Sequence, residues 1–201
     1  MTVQDLIDFF ESDAESAREH TPDVGIVMGS DSDLDTMAGA ADALTDLGFA
    51  EETDPDDPPA GYSFETWVVS AHRTPDLMYA YADTAADRGL DVIIAGAGGK
   101  SADLPNMTAS IAYPVPVIGV PVQEKSVDSV IGMPTGAPLT AVDAGKSYNA
   151  GLSAAQVLAR SDDDLEARLR DLHDDRRAGV AAVSRDLHDR GVEGFRDRRD
   201  D

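Results

Sequence analysis

The stretch Val92-Ile93-Ile94-Ala95-Gly96-Ala97-Gly98-Gly99 decides the fold. Val92 to Ala95 are apolar with no polar alternation, which marks a strand buried on both faces. The glycines that follow read as the point where its backbone opens toward a small planar ligand. Working outward, the same kind of run recurs at Val24–Met28, Thr66–Ser70 and Pro116–Val120, with a fifth at Leu139–Val142. Helical spacing fills the gaps. Leu34, Met37, Ala41 and Leu44 share one face over residues 33–47, a helix opens at Pro75 and runs to about Arg88, and an Ala-rich helix spans about Lys146 to Ala159. Uniformly apolar strands alternating with helices predict an α/β fold, a three-layer αβα sandwich around a central parallel sheet. Such sheets bind ligands beyond the carboxyl ends of their strands. The informative residues are therefore those just after each run.

Three segments stand outside this pattern. Residues 1–22 read as an amphipathic helical extension with Val3, Leu6, Ile7 and Phe10 on its apolar face. Residues 51–59 are acidic and broken by proline. Residues 161–201 form a peripheral segment with helical spacing at Leu165, Leu169 and Leu172, and its end from Asp186 is expected to fray. The catalytic α/β domain is thus expected over 23–160.

Composition removes several classes of function. The chain of 201 residues has no cysteine, so it has no disulfide, no thiolate metal site and no cysteine nucleophile. The N-terminus does not read as a signal peptide, and no apolar run approaches the ~20 residues of a membrane helix, so a cytoplasmic protein is expected. The net charge of -23 argues against nucleic-acid binding, which needs a basic footprint. Thirty Asp and nine Glu stand against thirteen Arg and three Lys. An acidic interaction protein would have this charge but not the regular strands. The carboxylate shell reads as adaptation to high salt, where self-repulsion is screened within ~3 Å at 1 M.

Four motifs carry candidate chemistry. Gly29-Ser30-Asp31-Ser32-Asp33 lies at a strand-to-helix junction, where free amides and two hydroxyls suit a phosphate or carboxylate, although a plain N-cap has the same composition. Ser70-Ala71-His72-Arg73-Thr74-Pro75 puts a proton carrier beside an anion fork, with proline opening the next helix; a structural histidine is the other reading. His20, His173 and His188 lie in charged peripheral segments, which leaves His72 as the catalytic imidazole. Gly96-Ala97-Gly98-Gly99-Lys100-Ser101 lacks the spacing of a dinucleotide fingerprint, and Ile94 stands where a P-loop needs glycine, so ATP is rejected. Met133-Pro134-Thr135-Gly136 is a rigid loop. No carboxylate pair is spaced for glycoside hydrolysis, and no metal signature is present.

Taken in order, these motifs, with Gly119-Val120-Pro121-Val122, resemble the N5-carboxyaminoimidazole ribonucleotide mutase family over about residues 23–160. The resemblance implies a flavodoxin- or Rossmann-like fold assembled as a homo-octamer. It implies an isomerase of purine biosynthesis that uses no cofactor and no metal and is coupled to an ATP-dependent synthetase making its substrate. By resemblance His72 is the proton shuttle. Ser30, Ser32, Asp33 and Arg73 hold the ribose phosphate, with Asp33 on the ribose hydroxyls. Ser70, Ala71 and the Gly96 to Gly99 backbone line the base and its carboxylate, and Gly98, Gly99 and Leu104 join the substrate-binding set. The alternatives are a direct carboxylase of aminoimidazole ribonucleotide and a non-catalytic nucleotide-binding module. Arg73-Thr74-Pro75 and Gly96 to Gly99 match the mutase branch. One departure stands out. Where the family usually has A-A-H-L-P-G, this chain has Lys100-Ser101-Ala102-Asp103-Leu104-Pro105-Asn106, with an extra residue and no histidine. An aspartate aimed at a substrate carboxylate would repel it, so Asp103 is expected to turn outward or to bind through its backbone amide.

Overall fold

The computed structural model describes residues 1–15 and 22–200, which fall into two compact units, Met1–Leu158 and Ala159–Asp201. The first unit runs α1 (Val3–Glu15), β1 (Val24–Met28), α2 (Leu34–Asp46), β2 (Ala50–Glu51), β3 (Ser63–Val68), α3 (Pro75–Thr84), β4 (Val92–Ala97), α4 (Leu104–Ile111), β5 (Val117–Pro121), α5 (Val127–Ile131), β6 (Thr140–Ala141) and α6 (Ser147–Leu158). The six strands form one parallel sheet in the order β2-β3-β1-β4-β5-β6. Without the two-residue β2, this is the doubly wound order in which the chain first builds to one side of β1 and then crosses to the other. The switch point lies between β1 and β4, whose ends Met28 and Gly96 are in register.

Every residue of β1, β4 and β5 is buried, as their unbroken apolar sequences require. Period-two alternation divides the core between two faces. Val27, Ile93, Ala95 and Ala97 pack with Phe10 of α1, Leu77 and Tyr81 of α3, and Leu104 and Ala109 of α4. Residues of the other parity face α2, where a side chain at Gly96 would collide with Met37. Helices α2 and α6 lie together there, so closely that a Cβ at Gly151 would come within 2.6 Å of the Ala40 carbonyl. This is the expected three-layer sandwich.

Helix α1 is held by more than its apolar face. Arg88, at the end of the turns after α3, is fully buried. Its Nε donates to Asp13 Oδ2 at 2.9 Å and its Nη2 to Glu65 Oε2 at 2.5 Å. The guanidinium stacks over Phe10 at 4.8 Å and Tyr81 at 5.4 Å. Burial alone would lower the Arg88 pKa, but Glu65 and Tyr81 raise it on balance, so it stays charged.

Three segments refine the expectations. Helix α1 is described over Val3–Glu15, and residues 16–21 of the expected extension, His20 among them, lie outside the described residues. The acidic loop begins inside the short edge strand β2. The C-terminal unit is helical over Asp163–Asp200 (α7), broken at Gly191 with φ 69°, rather than frayed from Asp186. Acidic and Arg residues pair at helical spacing along it: Arg170 bridges Glu166, and Arg190 reaches Asp186 at 2.5 Å. Acid-before-base at i, i+4 supports a helix that has little apolar content. Among the described residues, no helix is long and apolar enough to cross a membrane.

Candidate active site

The carboxyl ends of β1, β3, β4 and β5 converge on a cavity of about 420 Å³. Its first wall comes from the turn after β1. Gly29 closes the sheet edge by donating to the Gly96 carbonyl at 3.1 Å. Ser30 then caps a single 3-10 turn, its Oγ accepting from the Ser32 amide at 3.4 Å, and the Asp33 amide donates to the Ser30 carbonyl at 3.0 Å. This tight turn presents Ser30 and Ser32 to the cavity and buries Asp33 beneath it. Burial pushes the Asp33 carboxyl up, opposed by the amides of Gly98 and Ser30 and by Arg73.

The second wall follows β3. Ser70 and Thr74 tie the turn: the Ser70 amide donates to Thr74 Oγ1 and the Thr74 amide to the Ser70 carbonyl, both at 3.0 Å. Ala71, His72 and Arg73 are carried on that loop. The Arg73 Nη2 donates to the Gly29 carbonyl at 2.8 Å, linking the first two walls. Its Nε donates to Ser70 Oγ at 3.5 Å, and Nη1 is left to meet an anion such as phosphate or carboxylate.

The third wall is the glycine run after β4. A side chain at Gly98 would bring its Cβ within 2.9 Å of Asp33 Oδ1, and Gly99 has φ 86°, so both positions demand glycine. Buried Leu104, the first residue of α4, forms part of the floor. All ten residues singled out from the sequence (Ser30, Ser32, Asp33, Ser70, Ala71, His72, Arg73, Gly98, Gly99 and Leu104) therefore line one cavity.

Asp103 corrects an expectation. It does not turn outward: its Oδ2 lies 3.1 Å from His72 Nε2, and its Oδ1 accepts from Ser129 Oγ at 3.1 Å. His72 on the loop after β3 and Ser129 of α5 thus engage a carboxylate that stays partly exposed. Gln123 and Lys125 also line the cavity, as does Ser101, and none was singled out from sequence. They follow β4 and β5 directly, so the rule that pointed to the other loops applies to them equally. Lys125 adds a second cation to a site otherwise served by Arg73.

A serine-bearing turn, an arginine, an imidazole and a glycine-lined slot at the switch point of a doubly wound sheet make a site suited to a small anionic ligand. The chain matches the family model described as AIR carboxylase over residues 23–178. It is 47% identical over 156 residues to the N5-carboxyaminoimidazole ribonucleotide mutase of Bacillus subtilis, covering 74% of this chain and 87% of that one. It is 46% identical over 172 residues to the enzyme of the same name from Mycobacterium tuberculosis, covering 83% and 90%. A chloroplastic phosphoribosylaminoimidazole carboxylase of Vigna aconitifolia is 39% identical over 178 residues, 86% of this chain but 29% of that longer protein. The crystal structure of PurE from Treponema denticola superposes with a TM-score of 0.66 at 22% identity, covering 82% and 97%, and supports the fold. The chain belongs to the AIR carboxylase family.

Proposed function

We propose that the protein is an N5-carboxyaminoimidazole ribonucleotide mutase of de novo purine biosynthesis. One observation carries the reading: residues from four separate strand ends, a proton carrier and an anion fork among them, line one cavity in a chain 46–47% identical to proteins of that name. The carbamate on N5 of the substrate loses CO2, and C4 of the imidazole attacks the trapped CO2. His72 removes the C4 proton and delivers it to N5. Arg73, Ser30 and Ser32 hold the phosphate, Asp33 accepts from the ribose hydroxyls, and Ser70, Ala71 and the Gly98-Gly99 backbone bound the base. CO2 is small and neutral, so a close-fitting slot retains it where charge cannot. Holding it against C4 makes recapture effectively unimolecular. The chain supplies acid–base and positional catalysis from residues 23–160 and works as a cytoplasmic homo-octamer downstream of an ATP-dependent synthetase.

The test is turnover in high-salt buffer with N5-carboxyaminoimidazole ribonucleotide against aminoimidazole ribonucleotide plus bicarbonate. Preference for the former supports the mutase. Preference for the latter assigns a direct carboxylase, the reading of the name carried by the Vigna relative. Binding without turnover of either assigns a nucleotide-binding module.

A further inference from the structure

The geometry points to Asp103 as a positioning residue that acts through His72, an inference that rests on the mutase reading. An aspartate at a helix N-cap ordinarily folds back to accept from an amide of the first turn. Asp103 occupies that position at the head of α4 and makes no such bond. Its two oxygens instead meet His72 Nε2 and Ser129 Oγ, each at 3.1 Å. Ser129 is fixed in turn, since its carbonyl accepts from Asn106 Nδ2 at 2.7 Å. A chain of contacts from α4 and α5 thus reaches the imidazole on the loop after β3.

The consequence is chemical. A carboxylate accepts only, so the Nε2 it faces must carry the proton in the neutral ring, which leaves the lone pair on Nδ1. Nδ1 is then the atom that takes the C4 proton. The N–H bond forms as the C4–H bond breaks, the C–H electron pair returns to the imidazole of the substrate, and the same proton passes to N5. While the ring holds both protons it is a cation, and Asp103 faces that cation. The same engagement answers the repulsion expected between Asp103 and an anionic substrate, because both oxygens are turned to protein donors.

Two opposite effects are separable by kinetics. If Asp103 served only as an unfavourable charge near the substrate, removing it would lower KM and spare kcat. If it holds His72, removing it lowers kcat and spares KM. A hydrogen bond to a charged partner corresponds to roughly 10–100-fold. The His72 and Asp103 side chains are 59% and 43% exposed, so solvent screening places the expected effect at the lower end, about tenfold.

The experiment compares wild type, Asp103→Ala and the isosteric Asp103→Asn for kcat, KM and melting temperature with N5-carboxyaminoimidazole ribonucleotide. The expected result is a fall in kcat of about tenfold in both variants, with KM within about twofold and an unchanged melting temperature. Asn falls at least as far as Ala, because an amide donating to Nε2 inverts the tautomer. A kcat within about twofold of wild type in either variant, or a loss carried by KM, overturns the proposal. Wild type that fails to turn over this substrate overturns the mutase reading itself, a separate outcome.

Discussion

Two groupings in this molecule set a nitrogen of a basic side chain against a carboxylate, and they differ in nearly everything else. Arg88 with Asp13 and Glu65 is sealed beneath α1, with no exposed side-chain surface on the arginine. His72 with Asp103 stands at a cavity mouth, each side chain about half exposed. A buried charge without a partner is strongly disfavoured, so each member of the first group holds the others in place. An exposed pair contributes little to stability, so the second group has to be understood through the direction in which it points a ring. Exposure thus separates the group that holds the fold from the group proposed for the reaction.

The widest separation is expected from His72→Asn. General acid–base catalysis contributes ~10²–10⁴-fold, so turnover should fall by at least that factor while the melting curve stays that of wild type. Steady-state rates and calorimetry on one preparation check both halves, and normal turnover would end the catalytic assignment. Arg88→Leu should do the reverse. It leaves Asp13 and Glu65 buried without their cation, at a cost of about 3–5 kcal/mol in unfolding free energy, read by denaturant titration. Activity per folded molecule should stay near wild type, since Arg88 lines no part of the cavity. Replacing Arg88, Asp13 and Glu65 together with apolar residues should recover much of the loss. A large kcat defect in Arg88→Leu would dissolve the distinction.

How much of this was legible in the sequence follows from what each feature depends on. The sheet was readable because Val24–Met28 and Val92–Ala95 are unbroken apolar runs, and burial on two faces leaves no other pattern. Nine of the ten cavity-lining residues were readable because they fall in the turns just after such runs, whereas Leu104, at the head of α4, was named only by resemblance. The engagement of Asp103 was not, because it depends on how α4 enters the cavity and where α5 places Ser129, and neither helix was predicted from spacing. Arg88 was illegible for another reason. The Asp-Arg-Gly ending of a helical turn reads as a solvated terminus, and only the packing of α1 across it buries the guanidinium. Helix α7 misled in the opposite direction: its charge suggested fraying, whereas the alternation of acid and base at helical spacing supports the helix.

The intermediate case sharpens the comparison most finely. Asp33 is buried like the Arg88 group but sits in the cavity like the His72 pair. Its carboxyl is raised above the ordinary value of 3.8, chiefly by burial and against the opposing Gly98 amide. A carboxyl whose folded-state value exceeds its unfolded one binds protons more readily when folded. Its ionisation therefore lowers stability as pH rises from about the unfolded value through the folded one. Asp33→Asn keeps an acceptor for the Gly98 amide and removes that ionisation. It should be at least as stable as wild type at pH 7, and the advantage should shrink as pH falls below the folded value. Substrate affinity should drop, because an acceptor for the ribose hydroxyls is weakened. Melting temperature against pH, with KM at pH 7, reads both. A variant less stable at pH 7 but unchanged in KM would move Asp33 out of the reaction group and beside Arg88.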